Sequence, residues 1–214
     1  MGSSSGGRTN RSERPHLGYR ADALAGEALT TSIRVRGPEH AATLNLMANL
    51  ADAYYLQGKY GQAEALLGKT LEIMARVRGP QHPYTLGIVA SFADFYQREG
   101  KYALAESRAE QALVGRRRVL GPDHPNTLSS AADLALAYVS QGKFAEGERL
   151  MRETLDLDRK KRPDHWRTFR AASLLGANLA GQKKYAEAEP LLLEGYQGML
   201  ARKEQLAAQD QYHL

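Results

Sequence analysis

The sequence predicts an all-α solenoid of antiparallel helix pairs, and three observations carry that prediction. A turn recurs as Gly37-Pro38-Glu39-His40, Gly79-Pro80-Gln81-His82, Gly121-Pro122-Asp123-His124 and Arg162-Pro163-Asp164-His165, with prolines 42, 42 and 41 residues apart. A second marker keeps the same beat: Gly58-Lys59-Tyr60, Gly100-Lys101-Tyr102, Gly142-Lys143-Phe144 and Lys183-Lys184-Tyr185. Between the markers the apolar residues follow helical spacing, and no valine-rich alternating run competes with it. A fixed period of this length means stacked units that contact only their neighbours. Such a stack presents extended surfaces, so binding is the default expectation for its function.

Residues 1–18 are rich in Ser, Gly and Arg and read as a disordered arm or an expression scar. The first full unit, 39–80, opens with a helix A over 41–60, where Leu44, Met47, Leu50, Ala51 and Tyr54 form one stripe. Gly58 suits the left-handed turn past a helix end. Helix B then runs from about Gln62 to Arg78, with Ala63, Leu66, Leu67, Leu71 and Met74 on one side, and stops at Gly79-Pro80. Residues 21–36 align with 63–78, so 19–38 form a lone helix B ahead of the first pair. Three further pairs occupy 81–122, 123–163 and 164–204, which gives nine helices, and 205–214 read as the start of another helix or a tail. Pro83 and Pro125 stand at helix starts, where a missing N–H costs nothing.

Small residues recur where helices must approach: Ala51, Ala93, Ala135 and Gly176 in helix A, and Ala63, Ala105, Gly147 and Ala188 in helix B. Tyr54, Tyr96 and Tyr138, with Leu71, Leu113 and Leu155, are expected to supply buried apolar area.

Composition excludes several functions. Cysteine is absent, which removes disulfides, thiolate metal sites and a cysteine nucleophile. No stretch reaches the ~20 apolar residues of a membrane span, and the first residues lack a secretory signal's apolar centre. A cytoplasmic location is therefore expected. Arg8, Arg11, Arg14 and Arg20 against Glu13 account for +3 of the net charge of +5, so the repeats are only mildly basic.

The stretch Leu50-Ala51-Asp52-Ala53-Tyr54-Tyr55-Leu56-Gln57-Gly58-Lys59-Tyr60, followed by Ala63-Glu64 and Leu71, resembles the tetratricopeptide repeat (TPR). The 42-residue period and the Gly-Pro-Asp-His-Pro turn resemble the kinesin-light-chain subtype. The closing repeats, around Trp166 and Tyr185–Tyr196, are similar to arrays that follow serine/threonine kinase domains in bacterial proteins, although no kinase motif is present. The resemblance implies a right-handed superhelix, a bacterial protein-binding scaffold without cofactor, and a concave groove lined by the A helices. On that groove it places Asn45, Ala48, Asn49, Asp52, Tyr55 and Leu56, then Ala90, Asp94, Gln97 and Arg98, then Ser129, Ala132 and Leu136, then Arg170 and Ser173. Of the family's paired asparagines only Asn49 is kept. The expected ligand is an extended or helical peptide whose basic groups meet Asp52 and Asp94 while an apolar side chain packs near Tyr55 and Leu56.

Several residues admit a sharper chemical reading. His40, His82, His124 and His165 each stand beside a carboxylate or amide, but repeat-related positions lie too far apart to share a metal, and turn chemistry explains them better. No catalytic or metal site is expected, since the repeats contain neither a Gly-Xaa-Ser-Xaa-Gly elbow nor His-Glu-Xaa-Xaa-His. The clusters Arg34/Arg36, Arg76/Arg78, Arg116-Arg117-Arg118 and Arg159-Lys160-Lys161-Arg162 fall in the last turns of B helices, where the dipole favours cations. Aligned, they form a basic edge that suits nucleic acid or an acidic partner, which is the alternative function. A structural spacer, or end-to-end homodimerisation through terminal helices, is the third. Trp166 reads either as a core plug or as an anchor for a partner.

Overall fold

Nine helices and no strand are present among the residues described by the computed structural model, which are 14–202, with side chains from Leu24. The helices are α1 (Arg14–Arg36), α2 (Ala41–Leu56), α3 (Tyr60–Arg78), α4 (Pro83–Arg98), α5 (Tyr102–Leu120), α6 (Pro125–Ser140), α7 (Phe144–Lys161), α8 (Trp166–Gly181) and α9 (Tyr185–Leu200). They alternate as the repeats predict, α1 being the lone helix B. Residues 1–13 of the expected arm and the whole 205–214 tail lie outside the described residues. Helix A ends earlier than 60 and helix B starts earlier than 62, because the Gly-Lys-Tyr marker is itself the connection.

That marker has a specific geometry. Gly58 N–H donates to the Tyr55 carbonyl at 2.9 Å and Lys59 N–H reaches back to that of Tyr54 at 2.9 Å. These bonds are the Schellman pattern that closes a helix C-terminus. The pattern repeats at Gly100/Lys101, Gly142/Lys143 and Lys183/Lys184. The lysine also lies over the tyrosine it bonds, with Lys59, Lys101 and Lys143 at 5.5, 5.7 and 5.9 Å from the rings of Tyr54, Tyr96 and Tyr138. The left-handed position is glycine in the first three pairs, with φ of 74°, 76° and 73°, but Lys183 adopts φ 63° in the fourth. An L-residue there is strained by ~1–2 kcal/mol, part of which the entropy of unfolded glycine offsets. Lys183→Gly is therefore expected to stabilise the protein by ~0.5–1 kcal/mol, read as a higher urea midpoint.

The Gly-Pro-Xaa-His turn is closed by its histidine. Nδ1 of His40, His82, His124 and His165 accepts from the backbone N–H of Ala42, Tyr84, Asn126 and Arg167 at 3.1–3.2 Å, an N-cap in every pair. A threonine three residues on completes it. Thr43, Thr85, Thr127 and Thr168, all buried, donate their hydroxyls to the carbonyls of Gly37, Gly79, Gly121 and Arg162 at 2.6–2.9 Å. Each turn is thus tied to the helix it starts.

The chain forms two compact units that divide after Val77. In the first, α1 packs on α2, with Ser32 and Thr43 hydroxyls 2.8 Å apart, and Leu44, Met47, Leu50, Ala51, Ala63 and Leu67 are buried. In the second, each helix from α4 to α9 packs on the next, and the A helices also touch, α4 on α6 and α6 on α8. One core runs through it, including Ala93, Leu113, Ala135, Met151, Leu155, Leu175, Leu179 and Ala188. All eight small residues expected at close approaches are buried. Tyr96, Leu113 and Leu155 are buried as expected, whereas Tyr54, Leu71 and Tyr138 are half-buried. The phenols of Tyr54 and Tyr138 sit at the rim, beneath the lysines that cap their helices.

A polar clamp joins successive pairs in the second unit. Gln182 and Lys184, from the loop after α8, both donate to Glu148 of α7, at 2.7 and 2.8 Å, and Arg152 adds a third bond at 2.7 Å. Gln141 and Lys143 hold Glu106 of α5 in the same way. The bonds from Lys184, Arg152 and Gln182 bring the Glu148 pKa down from 4.5 to about 2. Because the folded value is the lower one, the clamp's stability is complete above ~4.5 and is lost as pH falls through about 2. Glu148→Gln is expected to cost ~1–2 kcal/mol at neutral pH, allowing for solvent screening of the partners. Urea titrations should show that difference vanishing near pH 2.

Candidate functional site

The A helices present the residues expected to bind, and each unit has its own set. In the first unit Asn45, Asn49, Asp52 and Leu56 are exposed on α2, Leu56 at 77 %, while Ala48 and Tyr55 are half-buried. The Tyr55 ring packs at 5.2 Å on Tyr60 at the start of α3. This set is an apolar and acidic strip.

In the second unit the face runs over α4, α6 and α8. Asp94 is exposed but ion-paired at 2.9 Å with Arg98, one turn on. Gln97 donates to the Ser140 hydroxyl at 2.8 Å, linking α4 to α6. Arg170 of α8 is paired at 2.8 Å with Asp133 of α6. Leu136 and Ser129 of α6 and Ala90 of α4 are half-buried. Two expected groove residues are less open than the others, although Ala132 lines a small pocket with Ser129, Arg167 and Arg170. Ala132 is buried at 5 % exposure, and Ser173 faces α9, where the missing Cβ of Gly195 would meet its hydroxyl. The stripe drifts around each helix, so a position that lines the face in one pair is covered in the next.

Asp94, expected to meet a basic group of the ligand, holds the Arg98 guanidinium in an exposed ion pair. The cation that stands out instead is Arg167, which pattern reading missed. Its Nε donates to the Ser129 hydroxyl at 3.3 Å and its guanidinium lies 4.8 Å from the Trp166 ring centroid, and among the described residues no carboxylate is in ion-pair range. Burial lowers its pKa, Arg162 and Arg170 lower it further, and Asp158 partly opposes them. Trp166 is neither plug nor bare anchor: it is half-buried, tilted against His165 at 5.7 Å, and carries Arg167 on its face. The signal available in the sequence was position, because Arg167 is the cap-bonded second residue of its helix and projects one turn before Arg170.

The basic B-helix edge is different from its sequence image. Arg116 is 8 % exposed and donates to the Asn126 carbonyl and the Ser130 hydroxyl at 2.9 and 2.8 Å, so it belongs to the packing between α5 and α6. Burial pushes its pKa down, with Asp133 opposing. Five further cations of those clusters pair with carboxylates: Arg76 with Glu39, Arg117 with Glu153, Arg159 with Glu194, Lys161 with Asp123 and Arg162 with Asp158. Apolar side chains are open on the outer helices, including Leu24 and Val35 on α1 and Leu193, Tyr196 and Leu200 on α9. Among the described residues no cluster of three His, Asp or Glu side chains is placed to hold a metal, and no helix is long and apolar enough to cross a membrane.

Comparison with known proteins agrees with this architecture. The tetratricopeptide-repeat family profile matches residues 19–76 and 87–160, more than half of the chain. Among solved structures, the nearly identical TPR-like repeats of a Podosopora anserina kinesin-light-chain protein superpose with a TM-score of 0.73 at 24 % identity, covering 91 % of this chain and 92 % of that one. BtubC from P. vanneervenii gives 0.75 at 18 % identity over 89 % and 76 %. MamA from strain RS-1 gives 0.57 at 16 % over 90 % and 98 %. No curated protein sequence matches.

Proposed function

The chain belongs to the tetratricopeptide-repeat family, and from that premise we propose that it is a non-catalytic protein–protein interaction scaffold that takes a peptide or protein segment along its helix A faces. In the second unit the observation that carries the reading is Arg167. A half-buried guanidinium that, among the described residues, bonds a hydroxyl and lies on an aromatic face, with Asp158 compensating it in part, is incompletely neutralised. A carboxylate from an incoming segment supplies what it lacks, with bidentate geometry that a guanidinium favours. Asp94 and Asp133 do not compete with that carboxylate for Arg167, being held by Arg98 and Arg170. In the first unit Tyr55 and Leu56 offer an apolar contact of their own on α2.

Screening a random peptide library against the tag-free protein tests this. Acidic peptides should be enriched, and Arg167→Glu should weaken the best of them at least ~10-fold without changing helicity, the loss of one charge-assisted contact. Enrichment of no peptide class, or equal binding by the variant, would remove the second-unit face as the site. Asp52→Lys with Tyr55→Ala is the matching probe of the first unit. The exposed apolar side chains of α1 and α9 favour a second reading, self-association through the outer helices. Sedimentation that stays monomeric across a wide concentration range would discard it.

A further inference from the structure

The B-helix side of the second unit supports an inference that does not depend on the helix A reading. A cleft of about 310 Å³ opens between α5 and α7. Its floor is apolar, formed by Leu113, Leu134, Tyr138 and Leu150, and Val114 stands at its edge with 62 % exposure. One end is closed by the Arg117–Glu153 ion pair at 2.9 Å. Glu110 and Glu146 line the cleft as well, and neither is ion-paired among the described residues.

The next pair of B helices shows what those two acids lack. There Arg152 bridges Glu148 and Glu187, at 2.7 and 3.0 Å, while Arg159 and Glu194 repeat the closing pair at 2.6 Å. Counted back by one repeat, Glu148, Arg152 and Glu187 become Glu106, Glu110 and Glu146. The guanidinium that ties α7 to α9 is thus replaced by a carboxylate between α5 and α7. Glu106 is satisfied by Gln141 and Lys143, which leaves Glu110 and Glu146 facing a cleft without the cation its successor contains. Arg149, also on the rim, makes no ion pair with either among the described residues. The Tyr138 phenol beneath them has a raised pKa, through burial first and then through Glu106, Glu110 and Glu146.

We infer that this cleft is a docking site for an arginine side chain of a partner polypeptide, with the guanidinium between Glu110 and Glu146 and the aliphatic stem over Leu113 and Leu150. The chemistry is that of the Arg152 bridge, supplied by a second molecule. Arginine fits better than lysine because its planar fork reaches two carboxylates while its stem covers apolar floor.

The test uses the full chain with methyl-labelled leucine and valine and the tripeptide acetyl-Leu-Arg-Leu-amide, beside its neutral citrulline twin. Saturable shifts of the Leu113, Val114 and Leu150 methyls are expected, with the citrulline peptide binding about fivefold more weakly. Glu110→Arg should abolish the shifts and raise the thermal midpoint, because it rebuilds the missing bridge to Glu146. Should that variant misfold, Glu146→Gln provides the same test through weakened binding alone. Arg167→Glu should leave the shifts intact, which separates this site from the helix A face. Equal binding of the citrulline twin, unmoved cleft methyls, or loss in Arg167→Glu instead of Glu110→Arg would each overturn the assignment. Shifts that grow with protein concentration without peptide would overturn it too, naming a second copy as the occupant.

Discussion

Arg162→Ala is expected to destabilise the protein by ~3 kcal/mol, a loss well beyond that of an ordinary surface ion pair. Arg162 stands where the three earlier turns have glycine, and its guanidinium meets Asp158 at 2.9 Å from Nη2 and 3.2 Å from Nε. Asp158 is 1 % exposed. Nη2 also donates to the Asp123 carbonyl at 3.2 Å, fastening the turn before α6 to the one before α8. Removing the arginine leaves a buried carboxylate without its cation, the costly half of a broken pair. The positions equivalent to Asp158 in the earlier B helices are Ser32, Met74 and Arg116. Asp158→Met with Arg162→Gly installs the residue types of the first full pair, Met74 and Gly79, and it should recover most of the loss, since replacing both partners is often neutral. Urea midpoints of the two singles and the double, followed by circular dichroism, decide the matter. A single variant within ~0.5 kcal/mol of wild type would mean that Asp158 is solvated.

Gly195→Ala is the second large effect, at ~2–3 kcal/mol. A Cβ on Gly195 would fall 2.7 Å from the Phe169 carbonyl and 2.9 Å from the Ser173 N–H, besides striking the Ser173 hydroxyl. Two of these obstacles are backbone, so no rotamer change relieves them and α8 must move away from α9. Ser173→Gly should therefore not rescue the variant. Gly68→Ala is the control, because nothing lies within 4 Å of its missing Cβ. There the change should stabilise α3 by ~0.8–1 kcal/mol through helix propensity alone. Opposite signs for the same substitution would locate the α8–α9 crossing, and equal signs would show that it is looser than drawn.

By itself the sequence determined the helices, their alternation, and the residues at which they cross. Those features are local or strictly periodic: Gly142 marks a helix end through φ, His124 caps the next start through a bond two residues away, and Ala135 recurs because a crossing recurs. It also contained, unread, the threonine that binds six residues back in every turn, a regular signal in plain view at Thr43, Thr85, Thr127 and Thr168. What only the tertiary structure decided is where charge remains uncompensated. Arg116 and Arg117 are neighbours in a cationic run, yet one is buried against Ser130 and the other reaches Glu153 on the following B helix. Arg170 finds Asp133 thirty-seven residues earlier, while Arg167, one turn before it, finds a hydroxyl and no ion-pair partner among the described residues. Such pairings depend on how far each helix pair is rotated against the last and on which rotamer spans the gap. A hydrophobic period fixes the spacing of the pairs, but the rotation between them comes from the packing of whole side chains.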